Sequence, residues 1–219
     1  MPASMGSPPS HDEPRPDPVR AGIRPPASGD PALIRYSPRM TRTTTSIPPN
    51  PTPHEQLSRR GATLVPSTPV ERAELLDATN WSSRFAWKQI ETLAHYLRCY
   101  QLRPGTHLFR EGDHDAFLAI VVEGSLEIRK QDLAEADRIV ARVGRGKIVG
   151  EMSLLDGASR SATGVAAEPT VVLVLGEKEF HDLGVDQPAL ALDLTLAIAL
   201  TIAQLLRQTT GALVEHLEA

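Results

Sequence analysis

Residues 144–166 read GRGKIVGEMSLLDGASRSATGVA. Gly144, Gly146 and Gly150 break short apolar runs. A lone carboxylate, Glu151, follows the third glycine, and a lone guanidinium, Arg160, sits inside Ser-Arg-Ser-Ala-Thr. A glycine-rich turn that enters a one-turn helix leaves backbone N–H groups unpaired, and the helix dipole there favours negative charge. Gly150 lets a backbone approach closely, EMSLL can form the short helix, Arg160 can pair bidentately with a phosphate, and Ser161 can add a hydroxyl. Glu151 would repel a phosphate, so its task differs; a carboxylate is a good acceptor for a sugar hydroxyl.

Around this stretch, residues 98–176 alternate short β-rich runs with glycine turns: RCYQL, HLFRE, AFLAIVVEG, SLEIRK, RIVARV and TVVLVL. Many short strands at even spacing predict a small β-barrel or jelly roll. Gly124, in Glu-Gly-Ser between two such runs, is a hairpin signal. Upstream, Thr68-Pro69-Val70-Glu71 is a capping box with proline at the first helical position, and WKQIETLAHYL places Ile90, Leu93, Ala94 and Leu97 on one helical face. Downstream, GEKEFHDLG is a short helix. Pro188 then opens one long helix. Leu192, Leu196, Ala199, Ala203, Leu206, Thr210, Leu213 and Leu217 recur on it at alternating spacings of four and three, the heptad seam of two helices packed along their length. A second apolar set, Leu194, Ile198, Ile202 and Leu205, lies on another face. One face can pack on the barrel and the other can meet a second copy, giving a parallel homodimer; burial of both within one chain is the alternative. Residues 189–206 are apolar enough to raise a membrane reading, against which stand Asp193, Gln204 and the lack of a basic flank.

Composition divides the chain. Of 19 prolines, 16 precede residue 70, and few apolar residues recur there at helical or strand spacing. Residues 1–66 therefore read as a disordered tail with eight arginines and five acids, either inert or a docking segment, with Met40 a possible start. Residues 67–97 read as helices, 98–176 as the β-roll with its cassette at 144–166, and 177–219 as C-terminal helices that serve as lid and dimer contact. Net charge is −4, which gives no generic polyanion-binding surface. One cysteine, Cys99, excludes an intrachain disulfide and, with no secretory signal, suits a reducing cytoplasm; it reads as a small core residue.

Phosphate on one side and ribose on the other describe a nucleotide. The segment at 144–166 resembles the phosphate-binding cassette of the cyclic nucleotide-binding domain family, and LRPGTHLFREGDHDAFLAIVVEGSLEI resembles that family's early strands with their glycine turns. The resemblance covers about residues 83–217. It implies a mainly β fold with flanking helices: a cyclic nucleotide-binding β-roll (jelly roll) with N-terminal helices and a long C-terminal helix. It implies that Glu151 accepts the ribose 2′-hydroxyl and that Arg160 holds the cyclic phosphate, aided by Ser161 and by the backbone of Gly150, Met152, Ser153 and Ala162. The long helix would lie over the base, with Thr209 and Thr210 either touching it across a dimer or forming a polar break in a coiled coil. The sequence departs from the family at Val149, where an aromatic residue or isoleucine is frequent, and at Gly164, where an inward valine is usual. Ser161 in place of a threonine favours cAMP over cGMP; cyclic di-GMP stays open.

The resemblance therefore implies a non-catalytic cytoplasmic sensor that needs no cofactor and signals to a partner protein. Because the sequence stops at Ala219, no helix-turn-helix contact with DNA is expected. Two other readings remain. A cupin-type enzyme needs a metal cluster, for which the sequence offers His107, His114 and Glu111 without the usual His-x-His. A dimeric scaffold with a degenerate pocket needs only the long helix.

Overall fold

The computed structural model describes residues 52–131 and 137–217, with side chains described as far as residue 211. The expectations for residues 1–51, and for the side chains of Leu213 and Leu217, lie outside the described residues.

The first element overturns part of the tail expectation. Helix α1 (Pro53–Arg59) is capped by Thr52, whose hydroxyl accepts from Glu55 N while Glu55 accepts from Thr52 N. Strand β1 (Thr63–Leu64) follows. Residues 52–66 are thus structured, and the reason lies in how the prolines are placed. Pro53 occupies the first helical turn, where its missing N–H costs nothing. Leu57 is 0% exposed, and with Ala62 it plugs a core formed by later strands, so no periodicity of its own was needed.

Helix α2 (Pro69–Asp77) forms with the Thr68–Glu71 capping box, Glu71 N donating to Thr68 Oγ1 at 3.2 Å. A 3-10 turn (Ser82–Arg84) leads to helix α3 (Trp87–Ala94), which buries Ile90, Leu93 and Ala94. The strands follow as β2 (Arg98–Leu102), β3 (His107–Phe109), β4 (Phe117–Glu123), β5 (Ser125–Gln131), β6 (Asp137–Gly144) and β7 (Ile148–Val149). Helix α4 (Glu151–Asp156) precedes β8 (Thr163–Ala166) and β9 (Thr170–Gly176). They make two antiparallel sheets, ordered β1-β2-β9-β4-β7 and β3-β8-β5-β6. This is the β-roll, with helices α5 (Glu177–Asp186) and α6 (Pro188–Leu217) after it.

The continuous apolar runs in β4 and β9 have a layered cause. Successive side chains on a strand point to opposite faces. Phe117, Ala119 and Val121 pack with Tyr100, Leu102 and Val172 between the sheets. Leu118, Ile120 and Val122 pack with Leu173, Leu175 and the helices on the other side. The first sheet is the middle layer, so neither face needs polar residues. Leu190, Leu194, Ala197 and Ile198 of α6 join that outer core. Leu192, Leu196 and Leu206 of the seam are 53–65% exposed, so the seam and core faces separate within one helix. Leu205, grouped by sequence with Leu194, Ile198 and Ile202, is exposed. By length and composition alone, α6 is the one helix among the described residues that can cross a membrane.

Candidate functional site

The cassette begins where β7 ends. Gly150 has φ +79°, a left-handed conformation that glycine adopts readily. A Cβ there would stand 2.4 Å from Arg160 Nη1 and 2.7 Å from the Phe117 carbonyl oxygen. The close approach expected at Gly150 is real, but the group that makes it is the arginine of the same chain.

Arg160 is held from every side. Its N–H donates to Asp113 O at 2.8 Å, and its carbonyl accepts from Gly112 N at 2.9 Å, so the 110–113 turn fixes its backbone. Its Nε donates to Asp115 Oδ1 at 2.8 Å. Its Nη1 donates to Phe117 O at 3.0 Å and to Gly150 O at 2.8 Å. The guanidinium carbon lies 4.5 Å from the Phe109 ring centre and 4.2 Å from that of Phe117, a cation between two π faces. The residue is 2% exposed. Burial pulls its pKa down, Asp115 opposes that, and a guanidinium stays charged. One atom, Nη2, is buried with no hydrogen-bond partner. A charged donor left unpaired in a buried site is costly.

Gly164 belongs to the same arrangement. A Cβ on it would meet Phe109 Cζ at 3.0 Å. The missing valine side chain makes room for the ring that faces Arg160, and the β3–β8 pairing shifts register between His107 and Phe109, where Phe109 lies opposite Gly164.

Glu151 is the first residue of α4 and is buried. Burial pushes its carboxyl up, while its own backbone hydrogen bond and the Arg160 charge pull it down. Among the described residues it makes no direct ion pair with Arg160, whose carboxylate partner is Asp115. The two are therefore not a surface pair, and the Glu151 oxygens have not been drawn into Arg160. Ser153 is buried and its carbonyl accepts from Gly157 N, while Met152 is exposed beside it. Ser161 is exposed and its carbonyl accepts from Lys130 Nζ at 2.8 Å; Ala162 is half-buried. These residues lie along the loop-helix-loop that runs from Gly150 through α4 to Arg160 and Ala162.

Thr209 and Thr210 are different. Both are exposed far along α6, and their hydroxyls donate to Leu205 O and Leu206 O of the same helix at 2.9 Å. The fold of one protomer does not bring them to the cassette. A cleft of about 520 Å³ on α6 lies instead against Phe85, lined by Arg84, Asp193, Leu196 and Arg207. Among the described residues, no group of three His, Cys, Asp or Glu side chains is placed to hold a metal ion, and His107 lies half-buried on β3.

Sequence reasoning missed Asp115, Phe109 and Phe117. Asp115 stands in Gly-Asp-His-Asp-Ala-Phe just before β4, where an acid reads as loop. The complete burial of its side chain was the missing information.

Comparison with known proteins agrees with this fold. Residues 100–185 match the family model described as cyclic nucleotide-binding domain. A cyclic AMP receptor protein from Thermus thermophilus is 30% identical over 112 residues, covering 51% of this chain and 52% of that protein. This chain thus spans about half the length of that relative. A solved cyclic nucleotide-binding domain from Methylobacillus flagellatus superposes with TM-score 0.65 at 25% identity, over 74% of this chain and 96% of that one. The catabolite activator protein of Thermus thermophilus superposes with TM-score 0.54 at 29% identity, over 61% of each.

Proposed function

We propose, from a chain whose residues 100–185 match the model of the cyclic nucleotide-binding domain family, that the protein is a sensor of a cyclic nucleotide, cAMP before cGMP or cyclic di-GMP. The observation that carries this reading is the buried, unpartnered Nη2 of Arg160. It supplies a fixed charged donor for a cyclic phosphate, with no reorganisation of the contacts to Asp115, Phe117 and Gly150. Glu151 accepts the ribose hydroxyl, and the backbone around Gly150, Met152 and Ser153, with Ser161 and Ala162, closes round the phosphate. The name of the Thermus relative supports cAMP.

The protein has no catalytic role in this reading. Binding moves α6, and the shift can be no larger than the ligand's preference between two helix positions. The exposed leucine seam of α6 pairs with a second copy, and the signal passes to a partner protein in the cytoplasm. Thr209 and Thr210 reach a base only if that second copy carries them there.

Titration calorimetry of the full chain against cAMP, cGMP and cyclic di-GMP tests the reading. Micromolar or tighter binding of cAMP supports it. Binding of cyclic di-GMP alone reassigns the signal. No heat and no thermal shift with any of the three overturns the sensor and leaves a dimeric scaffold.

A further inference from the structure

Arg160 does not stand alone. Asp115 gives Oδ1 to Arg160 Nε, and its other oxygen, Oδ2, accepts from Arg60 Nη1 at 2.6 Å. Arg60 also donates through Nη1 to Leu108 O at 2.9 Å, and through Nη2 to Asp113 Oδ2 at 2.8 Å and Gln56 Oε1 at 3.3 Å. Charges alternate along Arg160, Asp115, Arg60 and Asp113. The side chains of Arg160 and Asp115 are 1% and 0% exposed, and that of Arg60 is 15% exposed. Asp113 closes the chain by accepting from Arg110 N at 2.7 Å.

Arg60 enters from outside the matched residues 100–185. It is the C-cap residue that follows α1, and α1 is docked by Leu57 in the inter-sheet core and by His54 Nδ1, 2.9 Å from the Tyr100 hydroxyl. A segment that reads as tail thus delivers a cation to the carboxylate that orients the cassette arginine.

The geometry gives that cation a task. A carboxylate that meets a guanidinium side-on closes a two-bond fork on Nε and its neighbour Nη2. Here the fork is half made: Nε is bonded, Nη2 is free, and the oxygen that would close it is held by Arg60. We propose that Arg60 is a positioning residue of the ligand site, which holds Asp115 Oδ2 away from Arg160 and so keeps Nη2 open for the phosphate. This rests on the reading of Arg160 as the phosphate-binding residue. By linkage, a ligand that uses Nη2 strengthens the seating of α1 to the same degree that α1 strengthens its binding.

The test compares the full chain with Arg60→Met and Arg60→Lys. The ligand-free readout is the NMR signal of the Arg160 guanidinium. In the wild type the Nε proton has the downfield shift of a carboxylate-bonded N–H and the buried, unbonded Nη2 protons do not. In Arg60→Met, Asp115 closes the fork and an Nη2 proton takes on that shift. The second readout is cAMP affinity by calorimetry, expected to fall about tenfold or more, the loss of one charge-assisted hydrogen bond. Arg60→Lys, which keeps one charge near Asp115, recovers part of both effects, and it carries both readouts if Arg60→Met does not fold. Unchanged Arg160 signals overturn the proposal, even if affinity falls, because Arg60 would then act only on the fold. Unchanged affinity overturns it as well. If the wild type binds none of the three nucleotides but Arg60 variants still alter the Arg160 signals, the sensor reading fails and the control of Nη2 by Arg60 stands.

Discussion

Gly150 and Arg160 occupy one space: the position of a Cβ on Gly150 is 2.4 Å from Arg160 Nη1. The turn and the arginine are thus a single unit, and each has the conformation it has because of the other. Gly150→Ala is strained twice, by its positive φ and by backbone that cannot yield at the Phe117 carbonyl. It should destabilise the protein by about 1–3 kcal/mol. It should also weaken cAMP binding by displacing Nη1 from Gly150 O. Thermal melting and calorimetry on one sample check both effects.

Glu151 should trade stability for binding. Burial raises its carboxyl above the ordinary carboxylate value. The folded state therefore holds this proton more tightly than the unfolded chain. Its contribution to stability is fully present below the unfolded pKa and is lost as pH rises through the folded one. Glu151→Gln removes that loss, so the variant should melt higher than the wild type at neutral pH, with the difference shrinking toward acid pH. Its affinity for cAMP should fall about 10- to 100-fold, the worth of a hydrogen bond to a charged acceptor. Melting curves across the acid-to-neutral range and a single titration at neutral pH separate the two.

The exposed seam of α6 makes the proposed dimer testable apart from the ligand. Leu196 and Leu206 are 53% and 65% exposed, while Leu194 and Ile198 are fully buried. In a dimer paired along this seam, a charge placed there would meet its own copy across the interface. Leu196→Asp with Leu206→Asp should change light scattering from twice the chain mass to the chain mass and leave the melting of the β-roll within a few degrees. Ile198→Asp is the contrasting variant: its side chain lies in the outer core, so it should unfold the protein rather than merely separate two copies.

What could be read from the sequence was local. The cassette places glycine, acid and arginine within one short span, and the capping box at Thr68–Glu71 needs four consecutive residues. The two faces of α6 could be read because helical periodicity records which residues turn inward. The partners of Arg160 could not. Asp115 is 45 residues from Arg160, and Arg60 is 55 residues from Asp115, and a charge pair that forms through folding leaves no periodic mark. Helix α1 was hidden by the prolines around it, although Thr52, Pro53 and Glu55 carry the same capping signal as Thr68, Pro69 and Glu71. Gly164 read as a departure from the family pattern, and its reason, the Phe109 ring above it, exists only once β3 and β8 pair.

The most direct measurement is a crystal structure of the full chain with cAMP. We expect a phosphate oxygen within about 2.7–2.9 Å of Arg160 Nη2, the distance of a charge-assisted bond, with the contacts to Asp115, Phe117 and Gly150 unchanged. A nucleotide bound elsewhere, or a cassette in which Nη2 stays unpartnered beside a bound phosphate, would contradict the assignment of Arg160 as the phosphate-binding residue.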